Sequence, residues 1–163
     1  MQRNRLVIAA ALIPAFVALN CTADARGGGA KEHSFAPEHV GNLPADIQLR
    51  LAARERACGG KAAAGHYFST TLVAGGLHFR SLHFEEFSCA NRGAICRVGG
   101  CLHEVYLESG GRSHLVFSAY VQDLKMTNPG GIAILEVYGT SGQQMLRWNG
   151  RSFVPVRSLA KGQ

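Results

Sequence analysis

The residues best equipped for chemistry lie between positions 78 and 103. His78, His83, Glu85 and Glu86 fall within LHFRSLHFEEF, and Cys89, Cys96, Cys101 and His103 follow shortly after. On a strand, alternate side chains share a face, so positions 79, 81, 83 and 85 point one way and 78, 80 and 82 the other. His83 and Glu85 are therefore neighbours on one face, and His103 on an adjacent strand can join them. Two imidazoles and a carboxylate can hold a metal ion or supply a general base. The competing reading is a strand whose polar face is simply wet.

The cysteines admit a zinc reading and a disulfide reading. Their spacing is Cys58-x30-Cys89-x6-Cys96-x4-Cys101-x-His103, and none of it is the tight C-x2-C pair typical of structural zinc. Cys96 and Cys101 bracket RVGG, where Gly99 and Gly100 can turn the chain back. Two strand ends joined in that way approach within the bridging range of roughly 4.4–6.8 Å. Cys58 and Cys89 then remain to tie a helix end to the sheet, one of the three connectivities that four cysteines allow.

Other catalytic signals are missing. The chain has no G-x-S-x-G elbow, no H-E-x-x-H and no paired-carboxylate signature. Ser88, Ser113 and Ser118 have no neighbour that marks a nucleophile. Trp148, before an Asn-Gly turn, is a candidate binding surface for carbohydrate, or else a cover for the core. His33 and His39, with glutamates nearby, read as part of a solvated tail.

The elements that must position these groups follow from periodicity. NLPADIQLRLAARERACGG predicts one helix. Pro44 suits its first turn, Asn42 stands at or beside the cap, and Gly59-Gly60 gives a left-handed stop. Asp46 and the late arginines complement the helix dipole. Leu43, Ile47, Leu51 and Cys58 fall on one stripe, so Cys58 faces whatever the helix packs on. From Gly65 onward short β-rich runs alternate with glycine turns: 66–73, 77–84, 101–109, 112–124, 131–139, 144–148 and 151–156. Asn149-Gly150 reads as a two-residue hairpin turn between Trp148 and Arg151. The expected class is α+β, mainly β: one N-terminal helix, then an antiparallel meander or small open barrel of about six or seven strands.

The start of the chain decides between the two cysteine readings. Arg3 and Arg5, an apolar run over residues 6–19 and the Ala23-Asp24-Ala25 site read as an export signal over residues 1–25. That run is shorter than the roughly 20 residues a membrane span needs. A lipoprotein acylated at Cys21 is the alternative. Either way four cysteines remain, and in an exported chain they favour disulfides over zinc. Residues 26–41 read as a flexible leader, 42–157 as a single stapled domain and 158–163 as a tail. Without residues 1–25, the 17 basic and 11 acidic side chains become 15 and 10, a net charge of +5. The basic residues are dispersed, with no aromatic-interleaved cluster of the kind that grips nucleic acid. No later segment is apolar and long enough to cross a membrane.

The pattern FSC…C-x4-C-x3-V-Y, followed by WNGRSFVPV, resembles a group of small exported alphaproteobacterial proteins over roughly residues 58–156. Many of that group carry a D-x-N-x-D-G calcium loop, related to integrin-like repeat blades, before the first sheet cysteine. Here that stretch is GLHFRSLHFEEFSC, without aspartate, so calcium binding does not carry over. The resemblance implies the architecture and no enzyme activity. The expectation is thus a periplasmic or secreted, disulfide-stabilised envelope protein with a non-enzymatic binding or structural role. No cofactor is expected, and the partner is an envelope component or protein, not nucleic acid. Two alternatives stand beside it: a secreted hydrolase or metal-dependent enzyme using His83, Glu85 and His103, and a protein inhibitor of a cell-wall hydrolase.

Overall fold

A computed structural model describes residues 35–156. The expected export signal, Cys21, His33, most of the expected leader and the expected C-terminal tail lie outside the described residues. The main helix, α2 (Ala45–Cys58), begins where expected. Pro44 caps it in an extended conformation, losing no helical amide, and Gly59 ends it in the left-handed region at φ 72°. Leu43, Ile47, Leu51 and Cys58 are all buried. Asp46 does more than answer the dipole. Its carboxylate accepts from the Ser113 amide (2.6 Å) and hydroxyl (3.0 Å), which ties the first turn to the sheet. The Ser113 amide is also the main reason the Asp46 pKa is lowered.

The fold begins earlier than the sequence led us to expect. A one-turn helix, α1 (Glu38–Gly41), buries Val40, and Asn42 closes that helix instead of capping α2. Ala36 and Ala64 exchange both backbone hydrogen bonds (2.9 and 3.1 Å), and the His39 ring bonds the Ala64 carbonyl oxygen at 2.7 Å. A segment with no periodicity of its own is thus ordered by long-range backbone pairing and one buried valine.

Among the described residues, nine antiparallel strands form two open sheets instead of the six or seven expected, and neither closes into a barrel. The first contains β1 (Ser69–Ala74), β2 (Leu77–His83), β3 (Cys96–Arg97), β4 (Gly100–Ser109) and β5 (Arg112–Val121). Its order is β1-β2-β4-β3, with β5 on the other edge of β4. The second is a meander of β6 (Asp123–Thr127), β7 (Ile134–Gly139), β8 (Gly142–Trp148) and β9 (Phe153–Pro155). The run expected as one strand over 112–124 breaks at Gln122, where the chain passes from one sheet to the other. There Leu124 turns into the second core, and the Gln122 amide bonds the Tyr138 carbonyl oxygen at 2.7 Å. The expected two-residue Asn-Gly turn is a four-residue loop. Trp148 pairs with Phe153, and the Asn149 side chain accepts from the amides of Arg151 and Ser152.

Two cores flank the first sheet. Leu82, Leu102 and Tyr106 join α2 on one side, while Phe79 and Val105 join Leu124, Leu135, Val137 and Leu146 of the second sheet on the other. The molecule is therefore layered helix, sheet, sheet. β4 is covered on both faces, and Leu102 to Tyr106 are buried without a break. His103 and Glu104, adjacent in sequence, are thus each driven into a core, on opposite faces. Among the described residues, no helix is long and apolar enough to cross a membrane.

Candidate functional site

The first polar centre lies on the face turned toward the second sheet. The antiparallel register sets His83, the last residue of β2, directly opposite His103 of β4. A single 3-10 turn (Phe84–Glu86) then swings Glu85 back over the pair. His83 Nδ1 and His103 Nδ1 are 3.2 Å apart. Glu85 lies 3.8 Å from His83 Nδ1 and 3.3 Å from His103 Nε2 through its two oxygens. The structure thus brings together the three residues singled out from alternation alone. His78, on the opposite face of β2, is exposed and takes no part.

Burial dominates the electrostatics of this centre. His103 is fully buried, and desolvation, followed by the charge of His83, lowers its pKa to about 4. His83 is lowered for the same first reason, against the pull of Asp123 and Glu86. Burial raises Glu85, and the negative charges of Asp123 and Glu86 add to that shift. All three groups are pushed toward their neutral forms. The outer nitrogen of His83, Nε2, is 2.8 Å from Ser81 Oγ, which in turn meets Thr70 Oγ1 at 2.6 Å. His103 Nε2 and Glu85 Oε2 are buried with no hydrogen-bond partner among the described residues.

The second polar centre, on the α2 face, was not anticipated from the sequence. Glu104 is buried and accepts from Arg54 (2.8 Å) and from the Tyr106 hydroxyl (2.6 Å). Burial and then the Glu104 bond raise the Tyr106 pKa well above its usual value. These residues border a cleft of about 400 Å³ with Arg50, Ala53 and Leu115. Arg50 stands 5.8 Å from the centre of the Tyr106 ring. The one available signal was an acid in an otherwise apolar strand, with two arginines a turn apart on the helix that packs over it. The fully engaged Glu104 leaves the cleft with guanidinium, phenol and apolar walls, a surface suited to noncovalent binding.

All four described cysteines are paired as the RVGG turn argued. Cys58–Cys89 has a Cα separation of 4.6 Å and Cys96–Cys101 one of 3.9 Å. Among the described residues, His103 therefore has no thiolate to share a metal with. Trp148 is half-buried, 5.4 Å from the Phe79 ring and 5.2 Å from that of Phe153. It packs against the second core, and its ring nitrogen is buried. No protein-family model, known protein or solved structure matches this chain.

Proposed function

We propose that the chain is an exported, disulfide-stapled envelope protein that acts by binding or as a structural component, without chemical turnover. The observation that carries this reading is where the two bridges lie. Between β2 and β3 the chain runs through residues 84–95 with only two 3-10 turns of regular structure. Cys58–Cys89 pins the middle of that segment to the end of α2, and Cys96–Cys101 pins its exit to β4. A segment held in this way relies on bridges that persist in oxidising compartments and are reduced in the cytosol. The basic head, apolar run and Ala23-Asp24-Ala25 site of the first 25 residues support the same compartment, as does the resemblance to small exported proteins.

The surface supports binding over turnover. The cleft on the α2 face offers Arg50, Arg54 and Tyr106 but pairs no nucleophile with a base. The His83–Glu85–His103 group does not line that cleft. Fractionation of cells producing the full chain, with intact mass before and after reduction, tests the export half. The expected result is a processed chain outside the cytoplasm that gains four hydrogens on reduction; an unprocessed cytoplasmic chain with free thiols would overturn it. Screening the mature protein against peptidoglycan, lipopolysaccharide and envelope proteins tests the binding half. Retention on one of these, weakened by Arg50→Ala, is the expected outcome, and retention on none would count against it.

A further inference from the structure

We propose that His83, Glu85 and His103 form a binding site for a divalent transition-metal ion of the zinc class, with one nitrogen from each ring and one carboxylate oxygen. The donors already converge. One donor atom from each residue lies within 4.8 Å of the other two. Donors about 2.0–2.1 Å from a tetrahedral ion stand about 3.3 Å from each other. His103 Nε2 is 3.3 Å from Glu85 Oε2, and His83 Nδ1 is 3.8 Å from Oε1 of the same carboxylate, so small side-chain rotations would complete the set.

Two of the three atoms that would face the ion are ones the protein leaves unserved, and the third, His83 Nδ1, faces the His103 ring at 3.2 Å. His103 is 0% exposed, and its Nε2 has no hydrogen-bond partner among the described residues, nor does Glu85 Oε2 beside it. A buried polar atom without a partner is costly, so the fold retains this pair against a penalty that a bound cation would remove. The far side of the His83 ring is, by contrast, held. Ser81 engages His83 Nε2, which leaves Nδ1 turned toward Glu85. Orientation of a ligand imidazole by such an outer partner is the usual construction of a metal site.

Donor chemistry selects the ion. Two imidazole nitrogens and one carboxylate suit zinc or its transition-metal neighbours, whereas calcium and magnesium need a fuller set of oxygens. Entry is from the side of Glu85, whose side chain is 35% exposed, past the exposed Asp123. Three protein ligands leave a fourth position to water. The inference is independent of the proposed function: loss of the metal site would leave an exported binding protein, and a cytoplasmic location would leave the metal site.

The test uses untagged, disulfide-intact protein freed of metal by chelation and titrated with zinc chloride by calorimetry. The same protein titrated with cobalt(II) is followed by visible absorption. We expect one zinc per chain, and cobalt bands of the intense, low-symmetry type given by four-coordinate sites. Glu85→Gln, at a partly exposed side chain that the fold can spare, should weaken zinc at least ~10-fold, and Ser81→Ala about 10-fold or more through the outer contact. His103→Gln should abolish binding. Because His103 is fully buried, Glu85→Gln decides the question if that variant does not fold. The pair of half-buried His39 and exposed His66, whose rings lie 5.8 Å apart, is the control. His39→Gln with His66→Gln should leave the affinity unchanged. Failure of the unaltered protein to bind zinc below about 100 µM, a value far weaker than structural zinc sites reach, would overturn the proposal. So would an affinity insensitive to Glu85→Gln, or one lost in the His39/His66 variant.

Discussion

Removing the two disulfides one at a time should destabilise the protein unequally, in an order set by the lengths of the loops they close. Cys58–Cys89 spans 31 residues and Cys96–Cys101 only 5. In the chain-entropy description these loops correspond to about 3.7 and about 2.1 kcal/mol at 25 °C. The native contacts widen the gap. Cys58 is 1% exposed and packed in the α2 core, so Cys58→Ala with Cys89→Ala also leaves unfilled space. Cys96 and Cys101 are half-buried, and their strands keep the β3–β4 backbone pairing when the bridge is gone. Urea denaturation, extrapolated linearly with a slope of about 1.5–2 kcal/mol per molar, reads the difference as midpoints lowered by about 2 M and about 1 M. Equal losses, or a larger loss for Cys96→Ala with Cys101→Ala, would refute the reasoning. They would mean that the bridges act through something other than restriction of the unfolded chain.

Three further outcomes follow from the buried polar groups and one turn. The metal-free protein should lose stability between pH 7 and pH 5. The unfolded chain takes up a proton near the ordinary histidine value of 6.5, and folded His103 resists until about 4, so His103 alone accounts for about 2 kcal/mol over that interval. His83 acts in the same direction and Glu85, with its raised pKa, in the opposite one; denaturation midpoints that rise on acidification across this window would contradict the account. Arg54→Ala should destabilise by about 2–4 kcal/mol by stranding buried Glu104 with only the Tyr106 hydroxyl as partner. Adding Glu104→Gln should recover part of that loss, which a double-mutant cycle measures. Gly100→Ala should be more damaging than Gly110→Ala. Both glycines have positive φ, but a methyl group at Gly100 would fall on the Val121 carbonyl, whereas nothing lies near Gly110. We expect about 1 kcal/mol for the second and at least about 2 kcal/mol more for the first, and comparable thermal midpoints would argue against the close packing of β4 and β5.

What the sequence by itself determined is local. Pro44, the Leu43–Ile47–Leu51–Cys58 stripe and Gly59 specify α2, because cap geometry and 3.6-residue periodicity depend only on neighbours. The RVGG turn paired Cys96 with Cys101, which left Cys58 for Cys89; alternation put Glu85 beside His83, but the contact is made through the 3-10 turn that follows β2 and not along a strand. Tertiary structure decided the rest. That His103 stands opposite His83, not one residue to either side, is a matter of register, and a slip by one would turn it to the α2 face. The break at Gln122 that folds a second sheet over the first has no local signal, since β5 and β6 read as one continuous strand. Once that sheet closes, β4 is buried on both faces. Packing of α2 is what makes Glu104 require Arg54 and Tyr106, and closure of the second sheet is what takes from His103 the water that would otherwise serve its ring. Dihedral preference acts within a few residues, whereas burial is settled between segments tens of residues apart, and both polar centres of this molecule are products of burial.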